Sequence, residues 1–273
     1  MIEDQYLELL SDVLQSGEER SDRTGTGTIG VFSPPILTHE FISDGNGGYS
    51  FPLFTSKRVP IRSVIAETLW FMQGRFDLES LRADGCIWWD DWERSDGTLG
   101  RVYGAQLRHW KSGNGEVDQL QTIIDTINTD PTSRRMVATM WNPAELNDMA
   151  LPPCHGALIQ FYVSCGNYLS LTVNIRSSDL FLGLPTNIPS YALVLLMVAK
   201  VTGLRPDRVN YVLGDAHIYK NHIDAVHTQL GRTSGFAPTI TVDEVSTIKD
   251  FRLEHFTISN YNPAPSIKAP ISV

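Results

Sequence analysis

From residue 168 to 177 the side chains alternate: Leu169, Leu171, Val173 and Ile175 share one face of a strand, and Ser170, Thr172, Asn174 and Arg176 share the other. That is the period of a sheet with one face against a core. Residues 136–141, 157–164 and 208–219 read as further strands. Elsewhere the period is helical. Residues 2–15 interleave acidic and apolar positions at helical spacing, and 61–73 carry Glu67 among apolar neighbours. Residues 188–203 are apolar nearly all round, as in a helix buried on every side, and Gly203 stands where such a helix stops. No repeat, low-complexity tract or linker-like stretch divides the chain, so residues 1–273 are read as a single domain. The element order, with strands gathered in the second half, predicts an α+β fold on a large mixed or mostly antiparallel sheet with a central buried helix.

Composition narrows the function classes. The chain is 273 residues long and 42% hydrophobic, enough for a sizeable core. A net charge of -9 disfavours broad attraction to nucleic acid, although a few clustered arginines can still hold a small anion. Cys86, Cys154 and Cys165 are odd in number and lack ligand-like spacing, which argues against a disulfide framework or a bound metal. Residues 1–20 lack a signal-like apolar core, and the longest apolar run, 191–199, is half a membrane span. The expected setting is the cytoplasm, with no membrane partner.

The chemistry concentrates in one stretch. Leu151-Pro152-Pro153-Cys154-His155-Gly156 is followed by Arg176-Ser177-Ser178-Asp179 and Gly183-Leu184-Pro185-Thr186-Asn187. A thiolate adds to electron-poor carbon, an arginine grips phosphate through paired hydrogen bonds, and an amide presents a donor beside an acceptor. Together they suit a nucleotide whose base is attacked covalently.

These motifs resemble the thymidylate synthase family, and the likeness runs nearly the whole chain. It is carried by Arg23-Thr24-Gly25-Thr26-Gly27-Thr28, Phe51-Pro52-Leu53 with Lys57-Arg58, Glu67 before Leu69-Trp70-Phe71, and Trp89 to Trp92. Val102-Tyr103-Gly104, Ser133-Arg134-Arg135, Pro153-Cys154-His155 and Arg176-Ser177-Ser178-Asp179 continue it. Asn187, Asp215-Ala216-His217-Ile218-Tyr219 and Ile267-Lys268-Ala269-Pro270 complete it. The resemblance implies a sheet-mediated homodimer, a dUMP substrate and 5,10-methylenetetrahydrofolate as co-substrate, with no metal.

It also implies roles. Cys154 adds to C6 of the pyrimidine. Arg23, Arg176 and Ser177 hold the phosphate, joined by Arg134 and Arg135 from a second subunit, and the arginines are expected to lower the Cys154 pKa. His217 and Tyr219 bind the 3′-hydroxyl, Asn187 reads the base, Glu67 organises water and proton transfer at O4, and Tyr103 helps remove the C5 proton. The folate falls to Lys57, Trp88, Trp89, Asp179, Leu182, Gly183, Thr186 and Ile271, with the C-terminal tail as a flap. Cys86, Cys165, His155, His222, His227 and His255 are read as structural.

Two departures bear on the product. The family's synthases carry Tyr-Gln before the Arg-Ser-x-Asp motif and Phe before the Asn; here stand Asn174-Ile175 and Thr186. Phage pyrimidine hydroxymethylases are similar to this chain at both places. A polar residue beside the methylene intermediate favours hydration, giving 5-hydroxymethyl-dUMP, over hydride transfer from folate, giving dTMP. The expectation is therefore a dUMP hydroxymethylase. The alternative is a thymidylate synthase, supported by the retained Trp89, and a remote one is a non-catalytic nucleotide- or RNA-binding relative.

Overall fold

The computed structural model describes residues 1–113, 115–164 and 167–272, so Cys165 lies outside the described residues. Among the latter the strands are β1 (Glu18–Arg20), β2 (Thr28–Phe32), β3 (Leu37–Glu40), β4 (Tyr49–Ser50), β5 (Trp110–Ser112), β6 (Gly115–Val117), β7 (Val137–Ala138), β8 (Leu158–Ser164), β9 (Tyr168–Asp179), β10 (Arg205–Tyr219), β11 (Thr239–Val242) and β12 (Phe256–Ser259). The helices are α1 (Ile2–Ser16), α2 (Ile61–Met72), α3 (Leu78–Ala83), α4 (Tyr103–Arg108), α5 (Gln119–Thr129), α6 (Leu184–Thr202) and α7 (Ile223–Leu230).

The main sheet runs β1-β2-β10-β9-β8-β7, with β3 also paired to β10. Among the described residues only β9 and β10 pair in parallel, so the sheet is mixed. Their register sets Ser177 beside Asp215 and Asp179 beside His217, which gathers four polar residues at the C-terminal ends of two strands. The alternation in β9 behaves as its sequence predicts: Leu169, Leu171, Val173 and Ile175 are buried, while Ser170, Thr172 and Asn174 face outward. Against the buried face packs α6, which also contacts α2. Its stretch Leu184–Thr202 is long and apolar enough to cross a membrane, but 15 of its 19 residues are buried in the fold, so it is the core helix. Gly203, in the left-handed region at φ 67°, ends it.

The boundaries differ from expectation in three places. The strand expected over 136–141 shrinks to β7, because the Gln119 side chain takes both backbone groups of Thr139 and the Thr139 hydroxyl bonds the Ala157 carbonyl. The core helix starts at Leu184 rather than 188, with Pro185 in the first turn, where its missing N–H costs nothing. The sheet also recruits β1, β2 and β3 from the first half of the chain.

The outer face of the sheet carries Leu158 at 38% and Tyr162 at 60% exposure. Beside them Gln160, Ser170, Thr172, Asp207, Arg208 and Asn210 line a depression of about 620 Å3.

Candidate active site

A cavity of about 880 Å3 lies at the C-terminal ends of β9 and β10. Those strands contribute Arg176, Ser177, Asp179, Asp215, His217 and Tyr219, α2 contributes Glu67, and α4 opens with Tyr103. Thr186 and Asn187 enter from the first turn of α6, whose amides bond the Gly183 carbonyl. The tail closes one side with Ser266, Ile267, Lys268, Ala269, Ile271 and Ser272.

Cys154 sits on a tight loop into this cavity. Arg176 shapes the loop: Nε donates to the Pro153 carbonyl at 2.7 Å and Nη2 to that of Pro152 at 3.1 Å, leaving Nη2 3.7 Å from Cys154 Sγ. Arg176 also lies 4.8 Å over the Trp141 ring. Gly156, at φ 62°, lets the loop close, since a Cβ there would meet Met140 Cε and Tyr191 Oη at 2.1 Å. Burial pushes the Cys154 thiol above its ordinary pKa, and Arg176 and Arg23 oppose this without reversing it. The two cations act downward, as expected of them, but in the free chain desolvation outweighs them. Cys86 is buried and pushed up to about 12, chiefly by burial.

The titratable side chains Glu67, Tyr103 and His155 are packed together. Glu67 is 8% exposed, accepts a 2.7 Å hydrogen bond from Trp89 Nε1, and is raised by burial to about 7. Tyr103 Oη accepts from the Cys154 amide at 3.0 Å, and its ring stacks on His155 at 4.6 Å. His155 Nδ1 lies 2.8 Å from Tyr191 Oη, and burial lowers its pKa to about 3, so the ring is neutral. Trp89 and Trp92, with ring centroids 6.0 Å apart, wall the cavity beside Tyr103.

At the end of the cavity lined by Arg23, the Asp22 carboxylate ties the Thr24 and Gly27 amides at 2.9 and 2.7 Å and so fixes the loop that carries this exposed arginine. Gly25 and Gly27 supply positive φ there. His217 Nδ1 lies 2.7 Å from Asp215 Oδ1, its ring edge-on to Tyr219. Burial raises Tyr219 to about 12.

The other end is built on Asp179. Its Oδ1 accepts the Phe181 and Leu182 amides at 2.8 and 3.1 Å, and although burial alone raises its pKa, these bonds and His222 bring it below the ordinary range. Buried Lys57 donates to the Phe181 carbonyl and lies 3.6 Å over that ring. Its burial lowers it to about 7 against the pull of Asp179. Trp88, Leu182, Gly183, Thr186 and Ile271 line the same region.

The cavity thus unites every expected site residue except Arg134 and Arg135, which are exposed on the approach to β7. Asn174 and Ile175 do not line it either: Asn174 faces outward and Ile175 is 1% exposed in the core. Trp92, Leu151, Asp22, Asp215 and His155, the last read as structural, also line the cavity without having been expected among the site residues. Asp215 was findable, because it lies two residues from His217 on one strand and so shares its side of the sheet.

The family model described as thymidylate synthase matches residues 4–273. The chain belongs to the thymidylate synthase family. It is therefore a one-carbon transferase, of a family that binds dUMP and uses methylenetetrahydrofolate as co-substrate. The mixed sheet under a buried helix is the fold of that family. Among the described residues no group of three or more His, Cys, Asp or Glu is placed to hold a metal.

Proposed function

We propose that this member of the thymidylate synthase family is a dUMP hydroxymethylase, releasing 5-hydroxymethyl-dUMP. The observation that carries this is Thr186. Its side chain lines the cavity and gives its hydroxyl proton to the Gly183 carbonyl at 2.7 Å. The oxygen keeps lone-pair capacity to accept a water proton, where an aromatic ring would exclude water.

Cys154 attacks C6, breaking the C5–C6 π bond, with Arg176 stabilising the thiolate as it forms. Charge moves to the C5–O4 enolate, where Asn187 and Glu67 act at O4; Asn187 also selects uracil over cytosine, by a factor of roughly 10⁴ for a mismatched buried pair. When bound, the reduced folate supplies the one-carbon unit, against Asp179, Lys57, Trp88, Trp89, Leu182, Gly183 and Ile271. C5 takes that unit, Tyr103 helps take the C5 proton, and tetrahydrofolate leaves with the electron pair of the broken carbon–nitrogen bond, so the base carries an exocyclic methylene. A water held beside Thr186 adds its oxygen to that methylene and loses a proton to solvent; the π electrons pass to the C5–O4 enolate, which re-forms the C5–C6 double bond and expels the Cys154 thiolate from C6.

Arg23, Arg176 and Ser177 bind the phosphate, His217 and Tyr219 the 3′-hydroxyl, and Arg134 and Arg135 come from a second copy. Supporting this, both arginines are exposed outside their own cavity, and the sheet offers an open outer face. The single domain 1–273 and a cytoplasmic setting belong to the same reading.

One observation favours the synthase reading: Trp89 stands buried against Glu67 as an apolar wall of the kind hydride transfer needs. Mass spectrometry of the product from dUMP and methylenetetrahydrofolate separates the two, with dTMP and dihydrofolate the result that rejects the hydroxymethylase.

A further inference from the structure

The tail that closes the cavity is held by the turn after β10, Lys220–His222. His222 is fully buried, with Nε2 2.8 Å from the Pro270 carbonyl oxygen. Its other nitrogen, Nδ1, lies 3.7 Å from Asp179 Oδ1 and is buried without a hydrogen-bond partner. The ring sits between those of Phe181 and Tyr219, each 5.5 Å away. Next to it, Asn221 Nδ2 reaches Ser272 Oγ at 3.5 Å, an oxygen that also accepts from Thr26 Oγ1 at 3.2 Å. One turn therefore grips the tail at two points.

The two ring nitrogens of His222 face two oxygens. A neutral imidazole carries a proton on only one nitrogen, so if Nε2 bonds Pro270 the Nδ1 lone pair confronts a carboxylate; an imidazolium carries N–H on both, donating to Pro270 and forming an ion pair with Asp179. We propose that His222 is a positioning residue which, as an imidazolium, ties the Asp179 carboxylate to the C-terminal tail and makes closure of the cavity depend on pH. The link to catalysis rests on the reading of Asp179 as the folate-facing carboxylate.

The charged and titratable groups around the ring are Asp179 at the end of β9, Lys57 from the segment before α2, and Tyr219 on β10. Burial disfavours the imidazolium and Lys57 opposes it, but Asp179 and the Pro270 carbonyl prevail, and His222 is raised above its ordinary value. The clasp is then complete below the ordinary histidine pKa and weakens as pH rises through the raised one.

The test is carboxypeptidase digestion of the full chain without folate, each rate divided by that of a free peptide of the tail sequence at the same pH. Wild type is expected to be digested about tenfold more slowly at pH 6 than at pH 9, the scale of one charge-assisted hydrogen bond. His222→Gln, which keeps a donor but no charge, should show one rate at both pH values and a raised KM for methylenetetrahydrofolate at pH 6 with the KM for dUMP unchanged. Equal wild-type rates at the two pH values overturn the proposal without any variant, as does a pH dependence that survives in His222→Gln. The folate reading fails separately if Asp179→Asn leaves the methylenetetrahydrofolate KM unchanged.

Discussion

Removing the Trp89 indole N–H while keeping an aromatic wall should make Glu67 harder to ionise. Burial outweighs the Trp89 hydrogen bond and lifts this carboxyl from 4.5 to about 7, a net cost to the carboxylate on the order of 3 kcal/mol. The 2.7 Å bond from Trp89 is what holds the value down. A hydrogen bond to a charged group contributes about 1.5–3 kcal/mol, so Trp89→Phe should move the Glu67 midpoint up by about 1–2 pH units. The assay is kcat/KM for dUMP against pH, with Glu67→Gln identifying which limb belongs to Glu67. Infrared absorption of the protonated carboxyl should persist to correspondingly higher pH in Trp89→Phe and vanish in Glu67→Gln. Stability follows the same proton. Between the ordinary value and about 7 the folded chain binds more protons than the unfolded one, so the Glu67 contribution is full at low pH, falls as pH rises through about 7, and is flat above. A midpoint that stays near 7 in Trp89→Phe, or moves down, refutes the reasoning.

Cys154→Ser should abolish turnover while dUMP binding, read by calorimetry, stays within about threefold, because the hydroxyl keeps the size but not the nucleophilicity of a thiolate; substantial residual turnover removes Cys154 as nucleophile. Asn187→Asp should shift the ratio of kcat/KM for dUMP over dCMP toward dCMP by about 10² or more, and an unchanged ratio means that Asn187 does not read the base. Mixing inactive Cys154→Ala with inactive Arg134→Ala chains should restore activity through hybrid dimers with one intact site; no recovery after verified subunit exchange means that each site is built from one chain.

Periodicity made much of this fold legible. The alternation of β9 and the helical spacing of α1 announced those elements because each buries one face, and the largely apolar runs of α2 and α6 announced helices buried on most sides. β2 escaped notice because glycines precede and interrupt it; at Gly30 a Cβ would crowd the Ala216 carbonyl at 3.0 Å. The site was legible as motifs, but its energetics were not. The arginines near Cys154 can be read from the sequence, whereas the burial that outweighs them arises only when the Pro152-Pro153 loop packs into the cavity. His222 looked like an ordinary core histidine because its partners, Asp179 and Pro270, are remote in sequence and meet only through the sheet and the tail.

The most direct test of the central claim is the product of the unmodified enzyme with dUMP and methylenetetrahydrofolate. Mass spectrometry should find 5-hydroxymethyl-dUMP, and the near-ultraviolet absorbance rise of dihydrofolate should be weak or absent. In Thr186→Phe, which dries the cavity wall, the dTMP fraction should increase. Stoichiometric dTMP and dihydrofolate from the wild-type chain would contradict the account and leave a thymidylate synthase with a polar residue at position 186.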